Sequence, residues 1–253
     1  MSVQGNLKNL KPSSVLITGA NRGIGLALVK AFVKLPTPPS VIFAACRNPA
    51  SAKELDTVIQ HNKFVKKLKC DVSDFTSFPA VVGEVKSIVG DRGLSLLVNN
   101  AGILKYEGFS DVSAESLKEH LHVNSVAPTI LSQAFTPLLK EAAHSTMSAN
   151  SGCILNISSG WGSITTASSS NPFAYRMSKC ALNMATKLMA EELRSSQVLV
   201  LCMCPGWVST DMGGASATTT PEQSADYLLH VLAGANNNHT GCFFNKDGSK
   251  HDW

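Results

Sequence analysis

Charge is scarce in this sequence. Asp, Glu, Lys and Arg together make up 16% of the 253 residues, against about a quarter in an average soluble domain. The basic excess, 22 Lys and Arg over 18 Asp and Glu, is only +4 and is spread along the chain. It gives nucleic-acid binding no support. Lys63, Lys66, Lys67 and Lys69 alternate with Phe64, Val65 and Leu68, which reads as a solvated helix end running into a strand. Long apolar runs are also missing. The longest is the seven residues 198–204, far short of the ~20 needed to span a bilayer. The first eleven residues hold no apolar signal-peptide core, and the last four, KHDW, match no lipidation or retention signal. No membrane partner is expected, and the cytoplasm is the expected location.

Metal-ligand spacing is absent as well. Seven cysteines make an odd count, and most sit inside apolar runs as small hydrophobes do. Cys202 and Cys204 have no second pair and no matching His spacing, so no metal site is expected and a reducing compartment fits. His120 and His122 stand two apart on a helical pattern and point to different faces, as packing residues do.

What is present is apolar: 44% of residues, enough for a large core that needs no disulfide or metal and that excludes disorder over most of the chain. Apolar runs at 15–18, 41–46, 67–72, 94–99, 153–158, 198–204 and 242–245 alternate with helical stretches. Most are apolar on both faces, the mark of parallel strands covered on two sides. The pattern predicts one α/β domain over 13–253, a doubly wound Rossmann-type fold with a seven-stranded parallel sheet and helices on both faces, preceded by an extension over 1–12. Ser51 with Glu54 reads as a capping box, and Thr220 with Gln223 as another, with Pro221 at the first helical position.

The first strand runs into Thr18-Gly19-Ala20-Asn21-Arg22-Gly23-Ile24-Gly25 and then an amphipathic helix over 26–35. Glycines there allow a tight turn, a close approach to a pyrophosphate and close helix packing, while free amides at the helix start face the anion. One absence bears on the cofactor. No acid stands at the end of the second strand, where NAD-binding sites hold the ribose 2′-hydroxyl; the first after residue 40 is Glu54. Arg22 and Arg47 stand there instead, and guanidinium groups suit a 2′-phosphate, so NADP(H) is favoured over NAD(H).

Tyr175 and Lys179 are four apart at the start of a long helical stretch, so phenol and ammonium share a face. A phenol with a pKa near ~10 exchanges protons poorly at neutral pH unless positive charge stabilises its phenolate, and Lys179 could supply that charge. Asn99-Asn100-Ala101-Gly102 closes the fourth strand, Asn124 lies in a following helix, serines follow the fifth strand, and Pro205-Gly206 ends the sixth.

Taken together, these residues resemble the short-chain dehydrogenase/reductase family over roughly residues 13–245. The stretches Ile157-Ser158-Ser159-Gly160-Trp161-Gly162-Ser163-Ile164, Ala174 to Lys179 and Cys204 to Gly214 are similar to its sniffer-like and C-factor-like carbonyl reductases. The resemblance implies that Tyr175 is the general acid, that Lys179 holds the nicotinamide ribose and lowers the Tyr175 pKa, and that Asn124 supports a proton-relay water. It implies a serine on the substrate oxygen. Many relatives place that serine thirteen residues before the tyrosine, but Gly162 stands there. Aligning the strand end selects Ser159, with Ser158 and Ser163 as alternatives. Implied cofactor contacts are Gly19, Asn21, Arg22, Gly23, Ile24, Gly25, Arg47, Asp71 and Val72 at the end of the third strand, Asn99, Ala101 and Gly102, and Pro205, Gly206, Val208 and Thr210, besides Tyr175 and Lys179. Asn99 also reads as a purely structural tie between strands.

Only six residues separate Gly214 from the helix at Pro221, a short lid over an open pocket that Trp161, Trp207 and Met212 could wall. The expected function is NADPH-dependent reduction of small-molecule aldehydes, ketones or quinones. Competing readings are an NAD(H)-preferring alcohol dehydrogenase of the same family and a cofactor-binding regulator or scaffold with little catalysis. An adenosylmethionine-dependent methyltransferase leaves Tyr175 and Lys179 unexplained. The resemblance also allows a homodimer or homotetramer through the helices containing Asn124 and Tyr175.

Overall fold

Apolar residues facing both ways along the central strands are what the sheet requires. The computed structural model describes residues 2–253. Seven strands, β1 (Ser14–Thr18), β2 (Val41–Cys46), β3 (Val65–Lys69), β4 (Leu96–Asn99), β5 (Cys153–Ile157), β6 (Leu199–Met203) and β7 (Cys242–Phe244), form one sheet. Its order is β3-β2-β1-β4-β5-β6-β7, and every pair is parallel. Val15, Ile17, Ile42, Val98, Leu155 and Leu201 face one core with helices α1 (Gly23–Val33) and α7 (Pro221–Gly234). Leu16, Phe43, Leu97, Ile154 and Val200 face the other, with α3 (Phe78–Val89), α5 (Ala127–Ala142) and α6 (Phe173–Leu193). Phe32, Phe43 and Phe135 are fully buried, each contributing roughly 1.5–3 kcal/mol. The fold is the expected doubly wound one. Chain order reverses between β1 and β4, and ligands bind at the carboxyl edge of such a switch point.

Three local expectations are corrected. Strand β3 ends at Lys69 rather than at residue 72, because the Asp71 carboxylate takes hydrogen bonds from Ser73 N (3.0 Å) and Ser73 Oγ (2.6 Å) and turns the chain out of the ladder. Asp71 and Val72 therefore follow the strand. Lys66, Lys67 and Lys69 lie on β3 itself, at the open edge of the sheet, where charge discourages a further strand from pairing. Ser51 forms no capping box. Its hydroxyl donates to Asn48 O (3.0 Å) in a turn begun by Pro49, and α2 (Lys53–His61) starts after it, behind an uncapped Ala52. Thr220 and Gln223 do form the reciprocal box, with Pro221 opening α7.

Residues 2–12 lie against α7 and the end of the chain: Val3 N donates to Gly248 O (2.7 Å), Gly5 N to His230 O (2.8 Å), and Leu10 is buried; residue 1 lies outside the described residues. His120 is buried, accepting at Nε2 from Lys105 N (3.1 Å), and His122 stacks on Phe75 with centroids 4.6 Å apart. Cys46, Cys70, Cys153 and Cys202 are buried in the core. Among the described residues no helix is long and apolar enough to cross a membrane.

Candidate active site

The glycine turn leaves β1 and enters α1 at the switch point. Gly19 (φ +64°) and Gly23 (φ +53°) occupy left-handed backbone, and a Cβ on Gly25 would stand 2.3 Å from Gly19 O, so only glycine lets α1 start this close to the turn. Asn21 and Ile24 are half-buried on the same turn, and Arg22 is exposed at its tip. Two residues that the motif reading did not put in the site fasten the turn. Thr18 Oγ1 accepts from Asn100 N (3.0 Å) and Ala101 N (3.1 Å), while Asn100 Nδ2 donates to Thr18 O (2.8 Å). A threonine directly before the first glycine and the second Asn of the Asn-Asn-Ala-Gly run were the available signals.

Across the cleft, the segment after β6 runs through Pro205, Gly206 (φ +85°), Val208 and Thr210. Thr210 Cγ2 would lie 3.2 Å from a Cβ on Gly23, and Asp211 Oδ2 accepts from Arg22 Nη1 at 2.6 Å. Asp211 was not singled out by sequence, since only the fold brings it to Arg22. Arg47 is exposed just past β2. The Asp71 carboxyl is held below its usual range, first by the Ser73 hydroxyl and to a lesser degree by Arg47.

The four expected catalytic side chains gather at the ends of β4 and β5. Tyr175 and Lys179 occupy the first two turns of α6, both buried, with Lys179 Nζ 5.7 Å from the phenol ring centroid. Lys179 Nζ donates to Ile157 O (2.8 Å) at the end of β5. Asn124 sits in a π-helical turn, His122–Val126, between α4 (Ala114–Leu121) and α5. It clasps Ile103 twice, accepting from its N–H (2.8 Å) and donating to its carbonyl (2.9 Å), and donates to Ser178 Oγ (3.0 Å). Ser178, which the motif reading passed over, donates in turn to Tyr175 O (2.8 Å) and so links the π turn to α6. Gly102 leaves room between the clasp and the lysine: a Cβ there would be 3.0 Å from Asn124 Oδ1 and 3.8 Å from Lys179 Nζ.

The serines separate by environment. Ser159 is half-buried, and its hydroxyl is the neighbouring group that draws the Tyr175 pKa down. Ser158 is buried and donates to Asn183 Oδ1 (2.6 Å), and Ser163 accepts from Thr166 N (3.2 Å). Position 162 could hold no serine at all. A Cβ on Gly162 would sit 2.8 Å from the Lys179 carbonyl carbon, so the backbone of the loop lies directly on α6.

Burial pushes the Tyr175 phenol up, and only the Ser159 hydroxyl offsets it. The same burial draws the Lys179 ammonium down to about 8. Desolvation leaves the Tyr175 phenol less acidic than a free one.

Residues 13–221 match the family described as short chain dehydrogenase. The chain belongs to that family. This short-chain dehydrogenase is accordingly an oxidoreductase. It is similar to the carbonyl reductase Sniffer of D. melanogaster, with a TM-score of 0.94 and 37% identity over 96% of this chain and 100% of that one. It is also similar to an NADPH-bound carbonyl reductase from chicken fatty liver, with a TM-score of 0.94 and 35% identity over 99% of this chain and 96% of that one. Among curated relatives, the C-signal of Myxococcus xanthus is 32% identical over 161 residues, 63% of this chain and 93% of that protein.

The short-chain dehydrogenase fold implies a nicotinamide dinucleotide, and the residues present fit one. Gly19 and Gly23 make a cradle that side chains would fill. Asn99, buried at the end of β4, donates to Ser132 Oγ (3.0 Å) and Asn156 Oδ1 (2.8 Å), while among the described residues its Oδ1 has no hydrogen-bond partner. Asn99 thus ties strands and also lines a small cavity with Thr18, Val72, Ala101 and Val123. An unpaired buried carbonyl is costly, and the cavity beside the glycine turn is where a bound polar group would relieve it.

Proposed function

We propose that this short-chain dehydrogenase reduces small aldehydes, ketones or quinones with NADPH, Tyr175 acting as the general acid. One observation carries the reading: Tyr175 and Lys179 are buried side by side on α6, the ammonium 5.7 Å from the phenol ring and bonded to Ile157 O at the strand end that leads into Ser159. A proton donor must hold its proton until negative charge develops on the substrate oxygen. Ser159 would donate a hydrogen bond to that oxygen, and Tyr175 would release the phenolic proton to it. Lys179 would hold the nicotinamide ribose and, protonated, stabilise the phenolate left behind. Asn124, locked on Ile103 and Ser178, would keep the π turn in place for a water that returns the proton through Lys179. The dinucleotide supplies the hydride and, once oxidised, a positively charged ring.

Arg22 and Arg47, with no acid at the end of β2, support a 2′-phosphate and hence NADPH. Asn21, Gly23 and Ile24 would face the pyrophosphate side, Asp71 and Val72 the adenine, and Pro205, Gly206, Val208 and Thr210 the carboxamide. Trp161, Trp207 and Met212, exposed at 39%, 52% and 39%, give the mouth an apolar rim suited to flat, uncharged carbonyl compounds. Met177, Met184 and Leu188 make an exposed apolar face on α6, which supports a homodimer or homotetramer. A cytoplasmic location accords with the free thiols.

Replacement of Tyr175 by Phe tests the reading. Carbonyl-dependent NADPH oxidation should fall by about 10²–10⁴-fold, with NADPH affinity, read by fluorescence titration, within a few fold of wild type. Turnover that survives the substitution would exclude the phenol as the acid. A wild-type protein that binds NADPH and reduces no member of a broad carbonyl panel would favour the regulator reading.

A further inference from the structure

The loop that carries Ser159 is held from two sides, and only one of them belongs to the machinery above. On the inner side Gly162 lies on the α6 backbone at Lys179. On the outer side lies the end of the chain. After β7 a turn reverses direction, Gly248 N donating to Asn245 O and Asn245 N to Ser249 O (both 2.9 Å). Lys250 then bridges Phe244 in antiparallel fashion and His251 N donates to Phe243 O (2.8 Å). Phe243, itself buried, is stacked by both His251 (4.5 Å, 18°) and Trp253 (5.5 Å, 28°). The Trp253 main-chain oxygen accepts from Thr165 N (3.0 Å) and Thr165 Oγ1 (2.9 Å). His251 Nε2 stands 3.0 Å from where a Cβ on Gly160 would be, filling the space beside the residue next to Ser159.

We propose that residues 249–253 form a strap that positions the Ser159 loop, with His251 as a positioning residue that acts through Gly160. The inference rests on the reading of Ser159 as the substrate-side hydroxyl. Its physical basis is the precision such a hydroxyl needs: a misplacement of about 1 Å can cost 10²-fold in rate. Gly160 N donates to Cys204 Sγ at 3.3 Å, and Ser159 Oγ accepts from Trp161 N at 3.2 Å. Both are modest restraints for a loop whose far end, from residue 164 onward, is exposed. Two stacked rings and two hydrogen bonds from Thr165 supply the missing support.

A double-mutant cycle on Gly160 and His251 tests the strap. The backbone at Gly160 is not left-handed, so Gly160→Ala is strained only by its neighbour. In the wild-type background Gly160→Ala should lower kcat about tenfold on a reference aldehyde or quinone, and in the His251→Ala background less than twofold. His251→Ala alone should lower kcat about tenfold with the NADPH dissociation constant within twofold, and His251→Phe, which keeps the ring stack, should recover at least half of the loss. Additive effects in the cycle, or equal losses of turnover and NADPH affinity, overturn the proposal.

Hydrogen exchange gives a readout free of activity. Removal of residues 250–253 should speed exchange at the Thr165 amide at least tenfold while the β4 and β5 amides stay protected. An unchanged Thr165 amide overturns the strap. If wild-type protein reduces no carbonyl compound, the enzymatic reading fails, and exchange in His251→Ala and in the shortened chain decides the strap alone.

Discussion

Arg22 Nη1 donates to Asp211 Oδ2 at 2.6 Å, joining the tip of the glycine turn to the segment behind β6. Both side chains are largely exposed, 71% and 78%, so the pair is worth at most about 1 kcal/mol. Under the proposed NADPH reading, the same guanidinium has a second anion to serve, the 2′-phosphate, and Asp211 competes for it. Asp211→Asn should therefore tighten NADPH binding by about two- to fivefold and leave NADH binding unchanged, with the gain shrinking as salt rises. Titration with each dinucleotide at low and high ionic strength checks it. An equal change for both would remove Arg22 from 2′-phosphate recognition.

Burial of Lys179 should be visible in stability as a function of pH. Its ammonium, about 8 in the folded chain against 10.5 as the ordinary value, is disfavoured by desolvation. The unfolded chain thus binds the proton more tightly. The penalty is at its full size below about pH 8, roughly 3 kcal/mol, and fades as pH rises toward the unfolded value. Tyr175 acts oppositely and only at higher pH: its raised pKa costs stability once the unfolded phenol ionises above about 10. Between pH 7 and 9.5, wild-type protein should gain about 2 kcal/mol relative to Lys179→Met. Urea denaturation of the two proteins at both pH values measures this difference directly. A parallel pair of curves would mean that the ammonium is solvated in the folded state.

Much of this architecture could be read from the chain because parallel strands announce themselves on both faces. Ile42 and Phe43 go to opposite cores, and a run that is apolar at every position leaves no other role. The Tyr175–Lys179 pair was legible for a similar reason, since a four-residue spacing fixes a shared helix face. Misreadings arose where a side chain took over the backbone's hydrogen bonds, as Asp71 did when it ended β3 and Ser51 did when it bonded Asn48 instead of capping α2. Contacts such as Arg22–Asp211 and His251–Gly160 join residues far apart in sequence, so no local pattern marks them. Spacing puts Lys179 beside Tyr175 but does not carry the depth at which both groups are buried, and that depth raises the phenol and lowers the ammonium.

The serine question yields the sharpest contrast, because two adjacent residues should fail in different ways. Ser158 is buried and donates to Asn183 Oδ1 at 2.6 Å, an acceptor that also takes Cys202 Sγ at 3.2 Å. Ser158→Ala should cost about 1–2 kcal/mol of stability, the usual loss for a buried hydrogen bond, and leave kcat within threefold. Ser159 is half-buried, and its one structural bond, from Trp161 N at 3.2 Å, caps a single turn. Ser159→Ala should therefore cost less than about 1 kcal/mol in stability but about 10²–10³ in kcat, the range for removing one donor to a developing oxyanion. Ser163→Ala, which loses only an acceptor for Thr166 N, should change neither by much. Steady-state turnover and urea midpoints on the three proteins separate the roles. If turnover collapsed in Ser158→Ala and persisted in Ser159→Ala, the substrate oxygen would have to lie on the Asn183 side of β5, where Ser158 is buried against Asn183 of α6.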